Sequence, residues 1–320
     1  MKRKVLCMLV GLAVFFLCAI NAEARRNKGA KPVSQDKLRV IILTDIGGDP
    51  DDEESMVRFL TYCNEFDVEG LIATDRSQRR PGPQVLPEKI IERVKAYGQI
   101  RDNLLLHAQG YPTVKYLLDR VKAGHWVPGE VKWLPKVGRS SYLALKDRIG
   151  PGKDSEASNW IIQVVDRPDK RPVLISIWGG SADLAQALWQ VRETRSLAEV
   201  VKFVSKIRVY AIVDQDTTAP WIRDNFPDIN YVRTRYPYGA HQGMYMEGET
   251  SFYNEKWVKK NILNHGPLGK LYSRRPWIPR YAEGDTSSIL YLIPTGLGDQ
   301  LRPWLGCWGG RFQKLGPRPF

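Results

Sequence analysis

The sequence predicts an α/β protein built on a mainly parallel sheet with helices on both faces. Short runs rich in β-branched residues alternate along the chain with segments of helical spacing. The strand-like runs are apolar almost throughout, as expected of strands that are covered on both faces. The chain has 320 residues, 43% of them hydrophobic and 26% charged, which excludes wholesale disorder and allows one large core.

Five strands are predicted, each a short run of apolar and β-branched residues. The run RVIILT opens the series, and the run PVLISIW later in the chain ends at two consecutive glycines. Runs of this kind suit buried strands of a parallel sheet. The expected strands are residues 39–44, 68–74, 172–178, 207–213 and 229–232.

Helices are predicted where apolar residues recur every three or four positions. In the first of them, four apolar side chains fall on one side: Met56, Phe59, Leu60 and Cys63. Pro87 suits the opening turn of the second helix, and Pro294 suits the end of the last. The expected helices are residues 51–64, 88–97, 113–123, 156–165, 182–192 and 286–292. Residues 234–282, rich in Tyr, Trp, Pro and Gly, are expected to form a long, partly irregular excursion.

The first 24 residues have the features of a signal peptide. A basic start, Lys2-Arg3-Lys4, precedes a 16-residue apolar run and the small-x-small pattern Ala22-Glu23-Ala24. The apolar run is shorter than the roughly 20 residues that a membrane span requires. We therefore expect cleavage near Ala24 and a secreted or periplasmic protein that keeps no membrane anchor. The expected parts are a signal peptide at 1–24, a flexible leader at 25–37, one domain at 38–312 and a disordered tail at 313–320.

The net charge of +13 does not indicate a nucleic-acid partner once it is located along the chain. Seven basic residues and one acidic residue lie within the first 31 positions, so this segment holds six of the thirteen net charges. The rest are scattered, as on a modest solvated basic surface. Of the four cysteines, Cys7 and Cys18 lie in the predicted signal peptide. Cys63 and Cys307 could pair in an oxidising compartment or stay as free thiols.

The most informative segment is the acidic stretch that follows the first strand. Five acids lie within nine residues, 45–53, where loops at the carboxyl ends of parallel strands line a ligand crevice. Carboxylates this close repel one another unless a cation or a proton neutralises them. An acidic helix start explains Asp51 and Asp52, but it does not explain Asp45 at the strand end. Since the nearby ligands are oxygens alone, we interpret the segment as a site for calcium or magnesium.

Residues 40–52 resemble the amino-terminal signature of nucleoside hydrolases, a strand followed by an aspartate-rich loop. They are more similar to the nucleoside hydrolase-like domain of the Sde182-type family, exported proteins described as cellulose-binding. The signature of that family resembles residues 44–52 of this chain, TDIGGDPDD. Further resembling stretches follow in order at residues 66–74, 103–112 (NLLLHAQGYP), 178–188, 210–226 (YAIVDQDTTAPWIRDNF), 283–297 and 308–312 (WGGRF). The resemblance implies a nucleoside hydrolase-like, Rossmann-like fold over nearly all of residues 38–312. Proteins of this family commonly continue into a β-sandwich, which is not expected in this sequence.

The resemblance also implies a calcium ion, in preference to magnesium, held by loop aspartates, a backbone carbonyl and a late aspartate. By position, Asp45 would be both a metal ligand and the general base. Asp52 and Asp285 would be further metal ligands, and Ala182 would supply the carbonyl. Asp51 would hydrogen-bond a sugar hydroxyl. The implied reaction is hydrolysis of an N-glycosyl or related glycosidic bond by inverting attack of a water that Asp45 activates.

Three positions depart from the nucleoside hydrolase pattern. Leu43 replaces the first aspartate of Asp-x-Asp, and two extra residues precede the aspartate pair, so that Asp49 could substitute for one member. Glu283-Gly284 stands where nucleoside hydrolases often carry a histidine that protonates the leaving base. The metal half of the signature is therefore retained and the leaving-group half is not, which argues against purine nucleosides as substrates.

Other residues are weighed as acids or as contacts to a sugar. His241, in the irregular excursion, and Glu283, if burial raises its pKa, are the candidate acids, with His107 as a lesser alternative. Trp178 could stack on a sugar ring beside Gly179-Gly180. Asp183 is a candidate substrate contact, although it could equally cap its helix.

Asp214 and Asp216 end a predicted strand and could face the same crevice. Asp is a routine turn residue, and turn formation is the favoured interpretation of both.

Two main functions and a weaker third are consistent with these features. The first is an exported calcium-dependent hydrolase acting on a small glycoside, a nucleoside or a polysaccharide. The second is a non-catalytic protein of the same fold that binds a cellulose-like polysaccharide. The third is a basic surface protein that binds acidic polymers and whose affinity falls steeply with salt.

Overall fold

A six-stranded sheet with all strands parallel forms the centre of the structure, a computed structural model that describes residues 37–48, 50–75, 85–126, 144–234, 254–272, 283–293, 299 and 302–314. The strands are β1 (Leu38–Thr44), β2 (Phe66–Ala73), β3 (Val121–Ala123), β4 (Val173–Ile177), β5 (Ile207–Ala211) and β6 (Asn230–Arg233). Their order is β3-β2-β1-β4-β5-β6. The order reverses between β1 and β4, and the carboxyl ends of the two strands at such a switch point form the usual ligand crevice.

The helices that connect and follow the strands range from one turn to 21 residues. They are α1 (Pro50–Tyr62), α2 (Pro87–His107), α3 (Val114–Leu118), α4 (Leu145–Arg148), α5 (Glu156–Asp166), α6 (Ala182–Thr194), α7 (Leu197–Ser205), α8 (Thr218–Asn225), α9 (Glu255–Val258), α10 (Gly266–Gly269) and α11 (Thr286–Leu290). A π-helical turn, Lys259–Leu263, continues α9, and short 3₁₀ helices lie at Cys63–Glu65 and Pro303–Leu305.

The sheet is covered on both faces, which confirms the predicted fold class. Alternate residues of β1 enter two separate cores, with Val40 and Ile42 on one face and Ile41 and Leu43 on the other. Apolar side chains of α1, α2 and α11 fill the first core, whereas those of α5, α6, α7 and α8 fill the second. This alternation follows from the two-residue period of a strand.

The helix predicted at residues 113–123 is wrong in its second half. The helix ends at Leu118, and Val121–Ala123 forms the edge strand β3, paired with β2 in parallel. The Leu71 N–H donates to the Arg120 carbonyl at 2.9 Å. Hydrogen bonding to β2 therefore begins one residue before β3 itself. Pairing with a neighbouring strand outweighs the local helical pattern here.

Several helical segments of the described structure were missed or drawn too short. The second helix runs on from the predicted end at residue 97 to His107. Helices α7 and α8 were not predicted. A signal for α7 was present in the sequence, because Ser196 and Glu199 form a capping box with both of its hydrogen bonds.

Some predictions lie partly or wholly outside the described residues. These include the signal peptide and nearly all of the leader, together with His241 and Asp49. Among the residues that the structure describes, no helix combines the length and apolar character that a membrane span requires. Cys63 and Cys307 do not form a disulfide, and the Cys63 thiol donates to the Leu60 carbonyl at 3.2 Å.

Candidate metal centre

The segments that follow β1, β2 and β4 lie side by side at the carboxyl edge of the sheet. The Trp178 N–H donates to the Leu43 carbonyl at 2.8 Å, and the Thr74 N–H donates to the Thr44 carbonyl at 2.9 Å. The acidic loop therefore begins at the switch point, between the ends of two neighbouring strands. This is the place where an open parallel sheet binds its ligands.

Three carboxylates converge at this edge and form what we call the acid triad: Asp51, Asp52 and Asp285. One carboxylate oxygen from each lies within 4.8 Å of the other two. Asp51 and Asp52 open α1, and Asp285 immediately precedes α11. Asp52 and Asp285 are almost completely buried, at 3% and 1% exposure, and Asp51 is half-buried. The packing of α1 against α11 thus brings together residues from opposite ends of the domain.

The electrostatics of Asp52 reflect its burial and the close approach of the neighbouring carboxylates. Burial is the largest cause that raises the pKa of Asp52 well above its usual value, followed by the charges of Asp285, Asp45 and Asp51. A hydrogen bond from the Thr44 hydroxyl opposes this rise. Carboxylates that crowd together in a buried site repel one another unless a bound cation or a proton neutralises their charge. The oxygen-only donors fit a hard divalent cation such as Ca²⁺ or Mg²⁺.

Asp45 lies beside the acid triad and packs against the end of β4. A Cβ placed on Gly179 would stand 2.5 Å from Asp45 Oδ1, so the two residues are in close contact. The Asp45 carbonyl accepts a hydrogen bond from the Gly48 N–H at 3.0 Å, and Gly47 adopts a φ of +90° that glycine allows. Asp45 was predicted as a ligand and Asp51 as a sugar contact, whereas the structure places Asp51 in the triad and Asp45 next to it.

The remaining acids of the first turn of α1 have structural partners. Glu53 pairs with Lys89 at 2.9 Å and with the buried Arg93 at 2.8 Å, which ties α1 to α2. Glu54 accepts a hydrogen bond from the Glu283 N–H at 2.6 Å. The acidic stretch is therefore divided between a candidate ion site and contacts that hold α1 in place.

The carboxylate of Glu283 accepts hydrogen bonds from three side chains, which argues against its predicted role as an acid. Arg58 donates to its two carboxylate oxygens at 2.9 and 2.7 Å. The Tyr272 hydroxyl donates at 2.7 Å and the Thr286 hydroxyl at 3.1 Å. Because both of its carboxylate oxygens already accept hydrogen bonds from these side chains, Glu283 is poorly placed to contact a leaving group.

The predicted stacking of Trp178 on a sugar is contradicted by its burial. Its side chain is 1% exposed, and the indole N–H donates to the hydroxyls of Ser176 and Ser288 at 3.0 and 2.9 Å. Trp178 follows Leu174 and Ser176 at two-residue spacing, so all three share the strand face that packs under α11. The ring is therefore a core element.

Asp183 and Ala182 lie at the start of α6. Asp183 is buried and accepts hydrogen bonds from the His125 N–H at 3.0 Å and the Ser155 hydroxyl at 2.7 Å. Burial raises the pKa of Asp183. These contacts favour a structural role over the predicted substrate contact. Ala182 is the first residue of the helix, and its role as a carbonyl ligand stays a prediction.

Turn formation was the favoured interpretation of Asp214 and Asp216, and in the structure both carboxylates lie in the segment that follows β5 and have structural partners. Asp214 forms a bidentate ion pair with Arg223, with two contacts of 2.7 Å each. The Asp216 carboxylate accepts hydrogen bonds from the Thr218 N–H at 2.9 Å and from the Ser181 N–H at 3.0 Å. His107 is exposed at the end of α2, and no described contact joins it to the acid triad.

Sequence reasoning missed several charged residues that surround the crevice. Arg148, 2% exposed, lies 3.5 Å from Asp75 and 3.6 Å from Asp216. Asp75 carried one available signal, because it closely follows β2 at the same edge of the sheet. Nothing in the sequence pattern indicates the partners of Arg148 or Arg58, since both contact residues distant along the chain.

Comparison with known proteins gives the family. A family model described as "Cellulose-binding Sde182, nucleoside hydrolase-like domain" matches residues 39–312. A similar solved structure is a nucleoside hydrolase-related hypothetical protein from Saccharophagus degradans that is associated with carbohydrate metabolism. The two share 36% sequence identity with a TM-score of 0.71, and the match covers 89% of this chain.

This chain spans only 62% of the length of that protein. A search of curated proteins found no match. Because the family model covers nearly all of the fold described above, the chain belongs to the nucleoside hydrolase-like domain family of the cellulose-binding Sde182 proteins.

Proposed function

We propose that this chain is an exported, calcium-dependent hydrolase of N-glycosyl or related glycosidic bonds. The observation that carries the proposal is the acid triad, whose three oxygens lie within 4.8 Å of one another at the switch point of the sheet. Membership of a nucleoside hydrolase-like family supports the reaction class. The association of the Saccharophagus degradans relative with carbohydrate metabolism supports a sugar as the ligand.

The described residues divide the work of such a reaction. When bound, a calcium ion would orient sugar hydroxyls and make a water molecule more acidic. Asp45, beside the triad, accepts a proton from the attacking water. The negative charge of the surrounding carboxylates stabilises the oxocarbenium-like transition state. A single displacement by water inverts the configuration at the sugar carbon.

The proton for the leaving group is assigned to His241, which lies outside the described residues. Glu283, the other candidate, is bound by Arg58 and Tyr272 and does not serve this role. Nucleosides and activated aryl glycosides differ in how much protonation their leaving groups require, so both classes belong in the first substrate screen.

The test is hydrolysis of nucleosides and aryl glycosides by the mature chain, with calcium and after chelation. We expect turnover that requires calcium and that falls by at least about 10²-fold in Asp45→Asn. Asp214→Asn is a matched control, because this aspartate pairs with Arg223 and lies outside the triad. Turnover that survives chelation, or that is undiminished in Asp45→Asn, would refute the proposal.

A second candidate function, non-catalytic polysaccharide binding, is favoured by exposed tryptophans near the end of the domain. Trp304 and Trp308 are 46% and 63% exposed. The segment that carries them is fixed to the core, since the Phe312 ring packs edge-on against Tyr210 and Tyr291. Exposed aromatic faces on a rigid support are suited to sugar rings, and exposed apolar groups of this kind commonly mark binding sites.

Retention on insoluble cellulose separates this candidate from the first. Binding through the tryptophans predicts that a Trp304→Ala, Trp308→Ala double variant is no longer retained, whereas Asp45→Asn is retained like the wild type. Trp126→Ala is the control, because Trp126 is also 46% exposed but lies elsewhere in the fold. Equal retention of the double variant and the wild type would exclude this surface as the polysaccharide site.

A further inference from the structure

Helix α1 contacts the turn that carries Asp285 through residues that follow its two triad aspartates. The Glu54 carboxylate accepts the Glu283 N–H at 2.6 Å. The Ser55 hydroxyl accepts the Asp285 N–H at 3.2 Å, although the two residues are 230 positions apart. The same helix therefore presents Asp51 and Asp52 to the triad and binds the backbone on which the third member stands.

One turn further along α1, Arg58 binds the turn that carries Asp285 through its hydrogen bonds to Glu283. Its guanidinium donates to both carboxylate oxygens, and the Tyr272 and Thr286 hydroxyls complete the set of donors. Burial opposes the charge on Arg58, but its hydrogen bonds to Glu283 and the charge of that carboxylate raise its pKa overall. Burial and the charge of Glu283 also raise the pKa of Tyr272, so both donors keep their protons.

The backbone of Glu283 shows that this segment is held in place by its contacts. Its φ is +32°, a strained region that residues other than glycine rarely adopt. Such a conformation persists when the surroundings impose it. Glu283 lies only two residues before Asp285, so a change in its backbone would move the triad aspartate.

We infer that Arg58 and Glu283 form a positioning pair that places Asp285 against Asp51 and Asp52, and so determines the affinity for a divalent cation without contacting the ion. The inference rests on the metal site of the proposed function. It assigns an indirect role to a carboxylate that sequence reasoning had assigned to proton transfer.

The test is calorimetric titration of calcium into the metal-free mature protein and its variants. Arg58→Met is expected to weaken calcium binding roughly 10- to 100-fold, as the loss of an outer-shell partner does at other metal sites. Arg58→Lys keeps the charge but loses the bidentate contact with Glu283, so its calcium affinity is expected to lie between those of Arg58→Met and the wild type. Glu283→Gln retains the size of the side chain and serves where Arg58→Met folds poorly.

Arg39→Met is the matched control. Arg39 is fully buried and pairs with Glu69 at 2.8 Å near the start of β1, at the end of the sheet opposite the triad. Its loss is expected to lower the thermal stability of the protein while leaving calcium affinity unchanged. A second readout is amide exchange of Glu283 and Asp285 without calcium, which is expected to accelerate in Arg58→Met and not in Arg39→Met.

The outcomes distinguish failure of the positioning role of Arg58 and Glu283 from failure of the metal site. Weaker binding in Arg58→Met and Glu283→Gln, with Arg39→Met unchanged, supports the inference. Wild-type affinity in both variants overturns it and leaves the metal site intact. An equal loss in Arg39→Met also overturns it, because affinity would then follow global stability. A wild-type protein that binds no calcium overturns the proposed function, and the role of the pair with it.

Discussion

Gly179 and Asp45 are so close that a Cβ at position 179 would lie 2.5 Å from Asp45 Oδ1 and 2.7 Å from Asp45 Cβ. The contact joins the end of β4 to the end of β1, the two strands at the switch point of the sheet. Both the carboxylate and the Cβ of Asp45 would have to move before any side chain could fit at position 179. The glycine is therefore required by the approach of Asp45.

Gly179→Ala is expected to reduce calcium-dependent hydrolysis about as much as Asp45→Asn, because the added methyl group displaces the carboxylate. Overpacking of this kind costs about 1–3 kcal/mol, so the variant should still fold and its melting temperature should fall modestly. The control is Gly180→Ala, whose methyl group would meet Asp216 Oδ2 at 2.6 Å and not Asp45. Full activity in Gly179→Ala would show that hydrolysis does not depend on the position of the Asp45 carboxylate.

The raised pKa of Asp52 predicts a pH dependence that calcium reverses. Because this pKa lies above its ordinary value of 3.8, the folded metal-free protein binds a proton more tightly than the unfolded chain. This group therefore stabilises the metal-free protein as the pH falls through the raised pKa, and that contribution is lost as the pH rises. Calcium competes with the proton, so its affinity should fall on acidification.

Melting curves in chelator and in excess calcium, between about pH 8 and about pH 5, measure both trends. Asp52→Asn removes the titrating group and is expected to flatten the pH dependence in chelator. A calcium-induced shift that is the same across this pH range would be inconsistent with a site that contains Asp52.

Trp178→Phe tests whether this ring belongs to the core or to the sugar site. The substitution removes the indole N–H, which donates to Ser176 and Ser288. A loss of about 1 kcal/mol in the free energy of unfolding is expected, since the two serine hydroxyls still bond to each other at 2.6 Å. Denaturant titration gives this value. A variant of unchanged stability that has lost its affinity for glycosides would instead support stacking on the sugar.

The parallel sheet and the acidic loop could be predicted because both depend on short-range patterns. The apolar runs of β1 and β4 identify buried strands, and five acids directly after β1 mark the functional edge. The start of α7 could also have been found, because its capping box is a local signal. By contrast, β3 exists through its pairing with β2, which no local pattern reveals.

The finer details of the site could not be predicted, because they depend on contacts between distant segments. Arg58 and Glu283 are 225 residues apart, and only the packing of α1 beside the late turn makes them partners. The role of Trp178 was misjudged for a related reason. Its position beside two glycines at a strand end favoured contact with a sugar ring, but the side chain continues the inward-facing row of β4 and donates to Ser288.

We propose that Asp51, Asp52 and Asp285 together bind a divalent cation. The most direct test is the melting temperature of the mature chain as calcium is added, with Asp285→Asn as the control. Binding to the folded state alone stabilises it by about 2.7 kcal/mol when calcium exceeds its dissociation constant a hundredfold. We predict a rise in melting temperature in the wild type and none in Asp285→Asn. No rise in the wild type, or the same rise in both proteins, would show that these three aspartates do not form a calcium site.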